Sequence, residues 1–69
     1  MEKVKIKPPY IKLDQLLKYV GIAENGGMAK MMIQDGLVQV NGQVVLQRGK
    51  KIKSKDIIEI VNYGKIEIE

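Results

Sequence analysis

No cysteine and no histidine occur in the 69 residues, and these absences constrain the fold more than anything the chain contains. A domain this small buries only about 60% of the surface of its extended chain, to leave roughly 4,400 Å² exposed. Domains of this size often add disulfides or a structural zinc. Without thiols or imidazoles neither is open to this one. One hydrophobic core must hold the fold, and a nucleotide-binding doubly wound sheet or a barrel enzyme with its own cleft does not fit. The commonest general base is missing as well. The acids are scattered, with no pair placed as a metal or acid–base site, so a catalytic role is not expected and no cofactor is implied.

The apolar residues reach that core through two different periods. Residues 3–7, Lys-Val-Lys-Ile-Lys, alternate strictly and predict a strand with one basic face, which Pro8-Pro9 ends. Leu13, Leu16, Leu17 and Val20 then fall at helical spacing within 11–20, with Asp14 near the start, Lys18 near the end and Gly21 as the stop. Asn25 is a good N-cap for a second helix, which Gly26 and Gly27 open and Gly36 closes. Its apolar stripe is Met28, Ala29, Met32 and Ile33, and Met28, Met31 and Met32 are read as core fillers. Neither helix is long enough to stand alone, so both need a sheet to pack on.

That sheet is predicted downstream. Asn41-Gly42 inside Leu-Val-Gln-Val-Asn-Gly-Gln-Val-Val-Leu is a strong signal for a type I′ hairpin. Ile57–Val61 is a strand with Ile58 and Ile60 inward, Asn62-Tyr63-Gly64 a turn, and 65–69 a final alternating strand. Longest apolar runs of three residues, such as Met31-Met32-Ile33, give no membrane span or signal core, and the chain reads as cytosolic.

Charge carries the functional signal. Lys plus Arg number 12 against 8 Asp plus Glu, a net +4 and a pI near 9.4. Polyanions are therefore the first partner to consider. All the cations but Arg48 are lysines, which favour phosphate contact over bidentate base reading. Arg48, Lys50, Lys51, Lys53 and Lys55 form a basic stretch with no acid before Asp56, and Ile52 is expected to pin it to the core. At the second helix, bare Gly26 and Gly27 leave amides accessible, and Lys30 shares their face, a constellation that could grip a phosphate. A plain N-cap, and a solvated charged loop, are the alternatives for these two features. Lys3, Lys5 and Lys7 are expected to face Glu67 and Glu69 across paired terminal strands. Tyr10, Tyr19 and Tyr63 are expected at the edge of the core, being too scattered for a stacking platform.

The run Lys12-Leu13-Asp14, then Leu17, Gly21, Ala29, Ile33, Gly36, Val38, Val40-Asn41-Gly42 and Val45 resembles the S-four domain, the small RNA-binding module named for a ribosomal small-subunit protein. The resemblance spans 11–58, and the whole chain is similar to the short stand-alone bacterial members that carry no catalytic domain. It implies one α+β domain over 1–69 with the α-L motif: two short helices on a small antiparallel sheet, with a Val-x-Val-Asn-Gly hairpin. It also implies binding to structured RNA, commonly ribosomal. By position, Lys12 matches a basic residue that often precedes Leu-Asp. Asn25 and Gly26 stand where many members have an RNA-contacting Ser-Arg pair, and Lys30 matches a commonly basic position.

The candidate RNA contacts are accordingly Lys12, Asn25, Gly26, Gly27, Lys30, Arg48, Lys50, Lys51 and Lys53. The expected protein is a monomeric, non-enzymatic RNA binder acting in ribosome assembly or translation. A protein-interaction adaptor docking on an acidic surface of a ribosome-associated factor is the alternative. An accessory domain serving an RNA-modifying enzyme in trans is a third.

Overall fold

The computed structural model describes residues 1–69. Its exposed area of 4638 Å² agrees with the size expectation. The chain runs β1 (Glu2–Val4), β2 (Ile11–Lys12), α1 (Leu13–Tyr19), α2 (Gly26–Gln34), β3 (Val38–Val40), β4 (Gln43–Val44), β5 (Lys51–Ile52), β6 (Ile57–Ile60) and β7 (Gly64–Ile68). Five strands form one sheet in the order β1-β7-β6-β3-β4, while β2 and β5 pair separately. Two helices and a small sheet make the α+β architecture that the resemblance implies.

The core follows the two sequence periods. Leu13, Leu16 and Leu17 of α1 and Ala29, Met32 and Ile33 of α2 are buried. They meet Val38, Val40, Ile58, Ile60, Ile66 and Ile68, the alternate residues of β3, β6 and β7, in one apolar cluster. Ile52 is fully buried, as its role of anchor required. Each such aliphatic side chain contributes about 1.5–3 kcal/mol of burial, which is why one layer of helices on one sheet face suffices.

Both helices end the same way. The amides of Gly21 and Ile22 return to the carbonyls of Lys18 and Leu17, and those of Gly36 and Leu37 to Ile33 and Met32. This is the Schellman arrangement, which needs a left-handed residue just past the cap; Gly21 and Gly36 supply it with φ of +82° and +77°. At the other end of α2 the Asn25 side chain accepts from the Met28 amide at 2.8 Å, the cap expected of it. The hairpin turns through Asn41 and Gly42, both at positive φ (52° and 85°), as a type I′ turn requires.

Several expectations need correction. The strand expected over 3–7 is only Glu2–Val4, and it lies parallel to β7, so the sheet is antiparallel except at this edge. The reason is the length of the neighbour: β7 ends at Ile68, opposite Val4, and offers Lys5, Ile6 and Lys7 no ladder. Lys3 does sit in register with Glu67. The helix expected over 11–20 starts at Leu13, because Ile11 and Lys12 are extended and paired with Ile52 and Lys51. Met31 is 57% exposed and not a core filler, whereas Met32 is buried and Met28 packs against the cluster. Tyr10, Tyr19 and Tyr63 are 40%, 65% and 58% exposed and stand outside the core.

Candidate nucleic-acid interface

The start of α1 organises the basic stretch. Lys12 occupies the N-cap position but makes no side-chain cap bond. A helix start leaves amides without partners, and here two are met by backbone from the basic stretch. The Leu13 amide donates to the Lys50 carbonyl at 2.9 Å, and the Asp14 amide to that of Arg48 at 3.0 Å. The run therefore lies along the helix start as a fixed segment, with the β2–β5 pair continuing the contact.

That pairing sets Lys12 directly opposite Lys51. Like charges opposed across a ladder destabilise it. The two-residue strands stay together because Ile52 is buried beside Lys51, Ile11 packs on the core, and the helix amides hold the loop. Burial thus maintains a concentration of positive charge that the ladder alone would disfavour. Lys51 also stands over the Tyr10 ring, its Nζ 5.0 Å from the centroid, a cation–π contact.

Next to this seam is a cleft of about 240 Å³ lined by Lys50, Lys51 and Lys53 together with Val40, Asn41, Gln43, Val45 and Asp56. Its floor is a hydrogen-bonded unit. Asn41 Nδ2 donates to Asp56 Oδ1 at 3.1 Å, while Asn41 Oδ1 accepts from the Ile57 amide at 2.9 Å. Asp56 Oδ2 accepts from the Lys53 amide at 2.9 Å. Asp56 is the one buried charged residue, and both its oxygens are engaged. The unit fixes the hairpin turn against the end of the basic stretch, so the three lysines face a shaped surface.

All nine sequence-derived candidates are exposed. The fold brings Lys12, Lys50, Lys51 and Lys53 together, and the Arg48 backbone joins them at the helix start. Asn25, Gly26, Gly27 and Lys30 do not line this cleft. At their own site the Gly26 and Gly27 amides have no acceptor within the protein. A Cβ at Gly26 would meet nothing, and one at Gly27 only Asn25 Oδ1 at 3.4 Å, so close packing does not demand either glycine. Sequence reasoning missed Asn41 and Asp56 as builders of the cleft. The available signal was an acid that ends a cationic run, immediately before a strand.

No group of acids is arranged to hold a metal, and no helix is long and apolar enough to cross a membrane.

Comparison with known proteins agrees with this geometry. The family model described as "S4 domain" matches residues 4–69. A Bacillus subtilis (strain 168) protein named "Probable ribosome maturation protein RlbA" is 32% identical over 65 residues, which cover 94% of this chain and 92% of the relative. An Escherichia coli (strain K12) protein named "Putative RNA-binding protein YbcJ" is 33% identical over 58 residues, covering 84% of this chain and 83% of that protein. With a family model spanning nearly its whole length and relatives of nearly its own size, the chain belongs to the S4 domain family.

Proposed function

We propose that this protein is a non-catalytic binder of structured RNA, ribosomal RNA in the first instance, and that it acts in ribosome maturation. The names of its relatives support the ribosomal reading. The observation that carries the binding reading is the opposed Lys12–Lys51 pair beside a cleft that Lys51 lines together with Lys50 and Lys53. A phosphate backbone relieves the repulsion that the fold enforces there. Residues 1–69 act as one binding unit. Lysine ammonium groups neutralise phosphates without reading bases, so selectivity rests on the shape of the RNA, since A-form major grooves are closed to side chains.

Salt titration tests this. With four to six phosphates neutralised, log K against log salt has a slope of about −3 to −4 at the single-strand coefficient. Fluorescence anisotropy on a structured ribosomal RNA fragment at several salt concentrations measures it. A flat response, or no binding at low salt, favours the adaptor that docks on an acidic protein surface.

The α2 start is the second contact in this proposal, with Asn25, Gly26, Gly27 and Lys30 receiving a phosphate on free amides and one ammonium. Gly27→Ala adds helix propensity, up to about 1 kcal/mol, without a clash. The expected result is a higher melting temperature together with weaker RNA binding, because the methyl group obstructs the amides. Lys30→Ala, at an exposed site, weakens binding with an unchanged melt. Unchanged affinity in both variants reduces Asn25 to a helix cap and leaves the lysine cleft as the binding surface.

A further inference from the structure

A larger depression borders Lys12 of the Lys12–Lys51 pair. It holds about 580 Å³ and is lined by Ile6, Lys7, Pro9, Tyr10, Ile11, Lys12, Gln15 and Tyr19. We propose that this groove receives one unpaired nucleobase of the bound RNA, set against Tyr10 and Tyr19, with the adjoining phosphates on Lys7 and Lys12. The proposal rests on the RNA-binding reading above and adds a site to it.

Four observations carry it. The first is composition: two aromatic rings, apolar walls, two cations, one side-chain amide and no acid among the lining residues. Base faces stack on aromatic rings, the amide of Gln15 offers both donor and acceptor to a base edge, and lysines suit the flanking phosphates. The second is exposure. Tyr10 and Tyr19 keep 40% and 65% of their surface and neither belongs to the core cluster or packs against it, so their rings are aromatic surface that the core does not use.

The third observation is continuity. Lys51 reaches over the Tyr10 ring at 5.0 Å and also lines the lysine cleft, while its cross-strand partner Lys12 lines the groove. The two depressions therefore meet at one pair of residues. A strand whose phosphates follow the lysines passes directly from one to the other. The fourth is size: the groove falls within the roughly 300–1,000 Å³ of sites that enclose small organic ligands, which is ample for a single base and its ribose. A paired base cannot enter, so the groove acts only on nucleotides in loops, bulges or junctions. It gives a protein otherwise rich in point-charge contacts a means to prefer RNA with an unpaired nucleotide over plain duplex.

The test compares two RNAs at one salt concentration: a hairpin with an unpaired loop, and its stem closed as a blunt duplex. Tyr19 ends α1 and is largely exposed, so Tyr19→Ser is expected to fold, with circular dichroism as control. Tyr19→Ser weakens hairpin binding by about 5- to 150-fold, the worth of one stacked base, and leaves duplex binding unchanged. Tyr19→Phe, which keeps the ring, binds the hairpin as the unaltered protein does. Independently of any variant, 2-aminopurine placed through the loop loses fluorescence at one position when the unaltered protein is added. Equal affinities of Tyr19→Ser and the unaltered protein for the hairpin, or equal losses on both RNAs, overturn the groove while RNA binding stands. If the unaltered protein binds neither RNA, the RNA-binding reading itself fails and the groove falls with it. A gain of binding to an uncharged peptide in place of RNA overturns it also.

Discussion

Replacing Lys50 and Lys51 together by Glu is expected to lower RNA affinity about a hundredfold. At a separation of roughly 6 Å in water, one unit charge interacts with a phosphate by about 0.7 kcal/mol. Reversing a lysine changes the charge by two units, which is about 1.4 kcal/mol or tenfold for each residue. The salt slope should fall by about 1.4 in magnitude at the single-strand coefficient, because two counterion-releasing contacts are lost. The fold should survive. Both side chains are exposed, and what holds this segment to α1 is the Lys50 carbonyl and its neighbour from Arg48, which the substitutions leave in place. Lys51→Glu forfeits the contact with Tyr10 but also removes the repulsion from Lys12. Reversing Lys3 and Lys5 is the matched control. It makes the same charge change, but Lys3 sits beside Glu67 and neither residue lines the cleft, so the affinity loss is smaller. Binding titrations on the two double variants, with circular dichroism on each, decide the matter; equal losses would mean that net charge alone and no particular surface governs binding.

Asn41→Ala is expected to be strongly destabilising, although the residue sits at a solvent-facing turn. Asn41 has φ of +52°, where an alanine costs roughly 1–2 kcal/mol. Its side chain also serves the Ile57 amide and Asp56 Oδ1, and removing it leaves both to water or to nothing. A buried group without a partner costs about 1–3 kcal/mol, less where water reaches it. A total of about 2–4 kcal/mol follows, against a whole-domain stability of roughly 3–10 kcal/mol for a chain of this length. Melting temperature should drop by about 10–30 °C. Asn41→Gly keeps the turn conformation and loses only the side-chain bonds, so its melt should lie between the two. If both variants melt with the unaltered protein, the Asn41–Asp56 unit contributes nothing to the fold and only shapes the cleft.

The helices and the hairpin were legible in the sequence because each declares itself within a few neighbouring residues. Leu13, Leu16 and Leu17 mark a helical face, Asn25 and the two closing glycines mark helix ends, and Asn41-Gly42 marks a turn that few other pairs can make. Where the pattern is too short to have a period, it was silent. The β2 and β5 strands are two residues each, and Ile11-Lys12 preceding a helical stripe reads as the helix itself. Their pairing is set by Ile52 reaching the core and by carbonyls meeting helix amides, which are events of tertiary structure. The same holds for Asp56, whose partner lies 15 residues away in the hairpin turn. Lys50, Lys51 and Lys53 could be named together from charge alone, and Lys12 from the resemblance. That Lys12 faces Lys51 could not, because it depends on a ladder register that no local sequence encodes. The tyrosines show the converse error: their amphipathic character suggested a place at the core edge, but all three are exposed and none packs against the core cluster.

The two carbonyls that close the start of α1 also bear on the cost of binding. Ordering one flexible residue costs roughly 1–2 kcal/mol of backbone conformational entropy. A basic tail that wraps an RNA loses that freedom for each residue at the moment of contact, and the loss is deducted from its affinity. Here Arg48 and Lys50 are already tied through their carbonyls, Lys51 and Ile52 through the β2 ladder, and Lys53 through its amide to Asp56. Folding has immobilised the backbone beneath the cations before any ligand arrives. The ammonium groups remain on free side chains, so they can adjust to an irregular phosphate path while their attachment points stay fixed. A short stretch of point charges on a stiff base can therefore hold RNA with few contacts, where a longer disordered segment would need many.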